Sequence, residues 1–239
     1  MKITWTRVPI AVGVAVAVVL LAGAAYLFNL PPFDSAVGEI RQNAVCASLG
    51  QSGQSVSALK SVLPEESSYA FDDDVTLRVD DGDDGYSSDC SVTGGDKELM
   101  TARTQMMRAE SVQSWVSGEV EQYADGSGRL TSFEARAEGV ASSSVAAVFV
   151  PCSSEGKIPG GQYNLSVVVQ LKEQGESGSS ETRSSLIELA KGAATFAHAQ
   201  AKCDMPSTVS GSPTGKASPV YEEMYNSPGR APAVRRLSR

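Results

Sequence analysis

Residues 80–90, Asp80-Asp81-Gly82-Asp83-Asp84-Gly85-Tyr86-Ser87-Ser88-Asp89-Cys90, hold five acids among two glycines. These are the residue types of a calcium loop. An EF-hand needs oxygen ligands at positions 1, 3 and 5, glycine at 6 and a bidentate glutamate at 12. With Gly85 at position 6, Asp80 and Asp84 fill positions 1 and 5, but Gly82 falls at 3 and Ser91 at 12. Two ligand positions are lost, the bidentate one among them. What remains is an irregular calcium site drawing on Asp72, Asp73, Asp74 or Asp83. Against it stands the commoner origin of such a run, a hairpin tip facing solvent, where aspartates favour turns and glycines supply positive φ.

Serine chemistry is the next candidate. Ser57-Ala58-Leu59-Lys60 and Ser154-Glu155-Gly156-Lys157 both match S-x-x-K, the nucleophile motif of penicillin-recognising enzymes. With 33 serines and 8 lysines in 239 residues, chance alone supplies about one such match. The supporting S-D-N and K-T-G elements are missing, so nothing relays the proton or binds the substrate carboxylate. A Ser-His-Asp triad would need His198, the single histidine. It lies in an alanine-rich helical stretch, and no G-x-S-x-G is present. Phosphate-binding glycine loops are absent too. Glu119 and Glu121 stand two apart on a helix and do not face each other. Trp115, with Val112, Val116 and Val120, forms an apolar helical face, and Met106-Met107 belong to a neighbouring strand, which reads as core. Asn164-Leu165-Ser166 is a glycosylation sequon inside a strand, and Arg235-Arg236-Leu237-Ser238 has the form of a basic kinase site. No catalytic, cofactor-binding or metal residue is assigned.

The four cysteines, Cys46, Cys90, Cys152 and Cys203, lie far apart, with no C-x-x-C and only one histidine to help. That disfavours zinc and favours two disulfides in an oxidising compartment. Four cysteines allow three connectivities. The preferred one, Cys46–Cys90 with Cys152–Cys203, closes two separate loops of similar length, each stabilising by about 4 kcal/mol.

The elements that would position these residues begin with a nineteen-residue uncharged run, Ile10 to Phe28, preceded by Lys2 and Arg7. At helical rise it covers roughly 28 Å, close to a bilayer core. The run is longer than the h-region of a cleaved signal peptide, so we expect a transmembrane anchor; cleavage at Ala22-Gly23-Ala24 is the alternative. Positive charge before the span keeps the N-terminus cytoplasmic and places residues 31–239 outside. Charge is uneven: −8 overall, with +2 in residues 1–30 and +2 in 204–239, which leaves −12 on 31–203. An acidic body is repelled by nucleic acid, so nucleic acid is not an expected partner.

Past a Pro31-Pro32 stalk, helices are expected over Ser35 to Ala47 and Ser57 to Val62. A hairpin follows, in which Val75, Leu77 and Val79 alternate on one strand and Tyr86, Ser88 and Cys90 on the next. Further strands are expected at 99–107, 130–135, 146–150 and 163–171, with helices at 111–123 and 182–202. In the last helix Leu186, Leu189, Ala190, Ala193 and Ala197 form one stripe. Residues 204–239 read as a disordered Pro/Ser-rich tail. Each of Cys90 and Cys152 is followed by a turn, a strand and a helix, so the fold class is α+β, with 31–123 and 124–203 as two degenerate repeats of one disulfide-framed domain.

VCASLG (45–50), LPEE, SSDCSV, VFVPC and AQAKC, behind a Val/Ala-rich span, resemble membrane-anchored exported proteins of high-GC actinobacteria, of streptomycete type. The resemblance covers most of residues 1–203. It implies the compartment and a disulfide-framed α+β ectodomain; the group has no established activity, so no site residue follows from it. The expectation is a single-pass, non-enzymatic binding domain whose partner is an envelope protein or glycan. The alternatives are an envelope hydrolase with an unrecognised site and a calcium-stabilised structural domain.

Overall fold

The computed structural model describes residues 37–124, 129–134 and 138–206. The expected anchor, the tail beyond Pro206 and the basic kinase-type motif lie outside the described residues. Among those described, no helix is long and apolar enough to cross a membrane.

Seven strands form one antiparallel sheet in the order β1-β2-β3-β7-β6-β5-β4. They are β1 (Tyr69–Thr76), β2 (Ser87–Gly94), β3 (Lys97–Arg108), β4 (Thr131–Glu134), β5 (Glu138–Ala141), β6 (Val145–Ile158) and β7 (Gly161–Leu171). Both halves of the chain meander outward from the β3–β7 pair, where Met100 stands opposite Leu171 and Arg108 opposite Tyr163. The turns are written in the sequence. Gly95 and Asp96 join β2 to β3 with φ of 54° and 66°, the two positive values a tight primed turn demands. Between β5 and β6 the Ser142 hydroxyl accepts the amides of Ser144 and Val145 at 3.2 and 3.3 Å.

Helices cover both faces. On one lie α1 (Gly53–Val62) and α3 (Ser179–Gln200). Beneath them are Val92, Met100, Ala102, Val148, Val150, Leu165, Val167 and Val169, all buried with the α3 stripe Leu186, Leu189, Ala190, Ala193 and Ala197. On the other lies α2, which starts as Val112–Trp115 and runs on through a π turn, Val116–Val120, and a 3-10 turn, Glu121–Tyr123. Its Trp115, Val116 and Val120 pack on Val140, Val145, Ala147, Phe149 and Val168. Because both faces are covered at β6, every residue from Val145 to Val150 is buried, and the strand reads as an unbroken apolar run instead of an alternation.

Four elements differ from expectation. No helix forms over 37–46; after a hydrogen-bonded turn at 41–44, the first helical turn is a 3-10 turn, Ala47–Leu49. Ile40, Val45, Cys46 and Leu49 are buried there, a spacing that plugs the core in an irregular path once Cys46 is bonded to Cys90. The first hairpin strand is Tyr69–Thr76, not 75–79, and Leu77 and Val79 are 54% and 89% exposed. Its three central aspartates suit an edge position, where charge discourages further pairing. The helix expected at 57–62 begins earlier, at Gly53, because the Ser52 hydroxyl caps it by accepting the Ser55 amide. β5 (Glu138–Ala141) falls between the strands expected at 130–135 and 146–150, where none is expected.

The Ala47–Leu49 turn reaches α3 through Gly192. A Cβ at Gly192 would stand 2.5 Å from the Leu49 carbonyl oxygen, a backbone atom that cannot swing aside. Gly192→Ala is therefore expected to lower stability by about 1–3 kcal/mol, read as a drop in the denaturation midpoint. An unchanged midpoint would mean that the turn does not abut the helix.

Candidate functional site

The acidic loop sits between β1 and β2 as the hairpin reading expects, and its carboxylates serve the loop itself. The Asp83 carboxylate accepts the Val79 amide at 2.7 Å and the Gly85 amide at 3.0 Å; Asp80 accepts the Gly82 amide at 2.8 Å. The Val79 contact, with further help from Gly85 and Arg78, holds the Asp83 carboxyl below the usual carboxylate range. Arg78 occupies the middle: its guanidinium donates to the carbonyls of Asp81 and Asp83 and, at 2.8 Å, to that of Ala201 at the end of α3. This clamp ends β1 at Thr76. Asp73 is drawn the other way, accepting the Ser48 amide and hydroxyl at 3.2 and 2.5 Å. Asp72 and Asp74 are exposed on the strand's other face. Carboxylates committed to backbone amides are poorly placed to gather around a cation. The domain is expected to melt at the same temperature in millimolar calcium and in chelator; a calcium-dependent rise would restore the cation reading.

Ser57 lies on α1 and opens into a groove of about 490 Å³ between α1 and α3, lined also by Gln54, Ser61, Glu181, Ser184, Ser185 and Glu188. Lys60 is exposed and is not part of the lining. Ser61 donates to Glu181 at 3.3 Å, and Glu188 pairs with the buried Lys191 at 3.3 Å. The groove is not legible in the sequence alone. Its signal is the polar series 181, 184, 185 and 188, one face of a helix by spacing, but only the pairing of α3 with α1 turns that face into a wall.

Ser154 on β6 and His198 on α3 are both tied to a strap that follows α3, Ser154 to its Asp204 and His198 to its Met205. β6 bulges between Pro151 and Ser153, which frees the Cys152 carbonyl from the ladder. That carbonyl accepts the amides of Asp204 and Met205 at 3.0 and 3.1 Å. The Asp204 carboxylate takes the Ser154 amide at 3.0 Å and its hydroxyl at 2.5 Å, and these two bonds hold its carboxyl below the usual range. His198 Nε2 lies 2.9 Å from the Met205 carbonyl oxygen and so donates to it. A nucleophilic triad needs the imidazole between hydroxyl and carboxylate. Here the hydroxyl bonds the carboxylate directly and the imidazole faces a backbone oxygen, so the contacts fasten chain to chain.

Burial pushes the His198 pKa below its ordinary 6.5, with the Met205 bond opposing the shift. A cationic group with a lowered folded pKa favours the unfolded chain in the window between the two values, because the unfolded chain takes up the proton first. Stability is expected to fall as pH drops through 6.5. His198→Gln should remove that part of the slope in melts between about pH 5 and 8; an unaltered slope would assign it to other groups.

The cysteines pair as Cys46–Cys90, with Cα atoms 6.1 Å apart, and Cys152–Cys203, 4.4 Å apart. Trp115 and Met106 are buried as core, and the sequon residue Asn164 is 7% exposed within β7. Glu119 accepts a hydrogen bond from Gln105 across to β3 at 3.2 Å. Tyr86 is 1% exposed, its hydroxyl has no well-formed hydrogen bond, and burial raises its pKa, partly offset by the nearby Ser88 hydroxyl. No family model matches the chain, and neither a curated protein nor a solved structure does.

Proposed function

We propose that the chain is a single-pass membrane protein whose Ile10 to Phe28 segment anchors an extracytoplasmic interaction domain without enzymatic activity. The observation that carries the exported placement is the pairing of all four cysteines, a state that persists in oxidising compartments. The positive flank before the span, Lys2 and Arg7, agrees with it. The interaction role draws on the same residues that could have done chemistry. The Ser154 hydroxyl and the His198 imidazole are tied into the strap, and the loop aspartates into their own turn. An envelope protein or glycan is the proposed partner, and an exported actinobacterial protein of streptomycete type is the proposed kind of chain.

The finer reading of two degenerate repeats is supported by the strand order, since β1-β2-β3 and β5-β6-β7 are disposed alike about the β3–β7 pair. It is opposed by the helices that follow, α2 and α3, which pack on opposite faces.

Placement is tested by treating intact cells with a membrane-impermeant amine-reactive ester. Lys60, Lys97 and Lys202 are exposed in the domain and should be labelled without lysis; labelling that needs lysis would overturn the proposal. The one observation favouring an envelope hydrolase is Ser57 in the groove beside Glu181 and Glu188. Any hydrolysis found with the purified protein should survive Ser57→Ala under the proposed reading and vanish under the other.

A further inference from the structure

The two disulfides differ in what surrounds them. Cys46 and Cys90 are 3% and 1% exposed, so neither sulfur is open to attack while the core is closed. Cys152 is fully buried, at 0%, but Cys203 is only partly buried. It lies beyond the end of α3, in a strap whose other fastenings are few. The Ala201, Lys202 and Cys203 amides still bond back to the carbonyls of Ala197, Ala199 and His198 on α3; toward β6, among the described residues, there are only the Asp204 and Met205 amides on the Cys152 carbonyl and the exposed Asp204–Ser154 pair, with the His198–Met205 bond holding the strap to α3. The strap also receives the acidic loop, because Arg78 donates to Ala201 at its start.

We propose that Cys152–Cys203 is a redox-labile latch: a dithiol reductant opens it while Cys46–Cys90 stays closed, and its opening releases residues 203–206 from β6. Thiol–disulfide exchange needs access of the attacking thiolate to a sulfur, and of the four cysteines Cys203 is the one that is not fully buried. The reductant's thiolate bonds to Cys203 Sγ, the Cys152–Cys203 bond breaks, and Cys152 leaves as a thiolate and takes a proton. The reductant's second thiol then attacks the mixed disulfide, releasing Cys203 as a thiol. Two electrons and two protons pass to the protein, and the reductant ends as its own disulfide. The fold survives because Cys46–Cys90 still ties 37–49 to β2, and α3 is held along its length by the buried stripe.

The test uses the full-length purified protein, dithiothreitol as the reductant, alkylation at timed intervals and peptide mapping of the four cysteines. Cys152 and Cys203 should be alkylated about tenfold sooner than Cys46 and Cys90, as access dictates, and the difference should vanish in guanidinium. In the selectively reduced protein, hydrogen exchange should quicken at 198–206 and stay unchanged in β2. Asp204→Asn, which weakens the Ser154 fastening, should speed reduction of Cys152–Cys203 alone. Equal native rates for the two pairs, prior opening of Cys46–Cys90, or unchanged exchange at 198–206 after selective reduction would each overturn the latch. An Asp204→Asn protein reduced at the parent rate would show that the strap does not guard the bridge.

Discussion

Trp115→Ala is expected to destabilise the domain by about 3–5 kcal/mol. Trp115 is fully buried and stacks on Phe149 with ring centroids 5.0 Å apart. Its indole N–H donates to Ser166 Oγ at 2.8 Å. Removing the ring opens a cavity between α2 and the sheet and also strands the Ser166 hydroxyl, which is 2% exposed. The two effects separate by substitution. Trp115→Phe keeps a ring over Phe149 but loses the donor and part of the buried ring volume, so it should cost about 1–3 kcal/mol. Adding Ser166→Ala to Trp115→Phe should recover part of that loss, because no hydroxyl is then left unpaired. Denaturant unfolding reads all three as midpoint shifts at constant slope. A Trp115→Ala protein within about 1 kcal/mol of the parent would mean that α2 does not pack on this face.

Replacing Cys46 and Cys90 together by serine should cost about 4 kcal/mol through the 44-residue separation that the bridge closes. For a domain of this size that is a fall in melting temperature of about 8–16 °C. The bridge does more than close a loop. It fixes the irregular path that sets Leu49 against Gly192 and Ser48 against Asp73. The double variant should therefore also lose hydrogen-exchange protection in 45–50. A loss of stability without that local opening would assign the whole effect to the unfolded chain.

The sequence made some of this legible and hid the rest for physical reasons. β3, β7, α2 and α3 follow from period and turn residues, because each has an apolar series long enough to outvote its neighbours. The preferred disulfide pairing agrees with the bridges observed. The expected helix at 35–47 has an apolar series of its own, but the bridge and the core direct that segment along another path. β5 was hidden because its four residues include Gly139, which is covered by the Phe133 ring from β4. No local pattern announces a strand that relies on its neighbour's side chain. The end of β1 is not legible in the sequence because Leu77 and Val79 keep the alternation going, while the Arg78 clamp that stops the strand depends on Ala201, far along the chain. The same distance hid Asp204 as the partner of Ser154. A groove between two helices is a property of their pairing, and single-helix periodicity showed only one of its walls.

The most direct test of the interaction domain is cross-linking on intact cells, followed by purification of the tagged chain and identification of what comes with it, against a control carrying residues 1–33 alone. The account predicts a specific envelope protein or glycan enriched over that control. Nothing enriched beyond the control would contradict it.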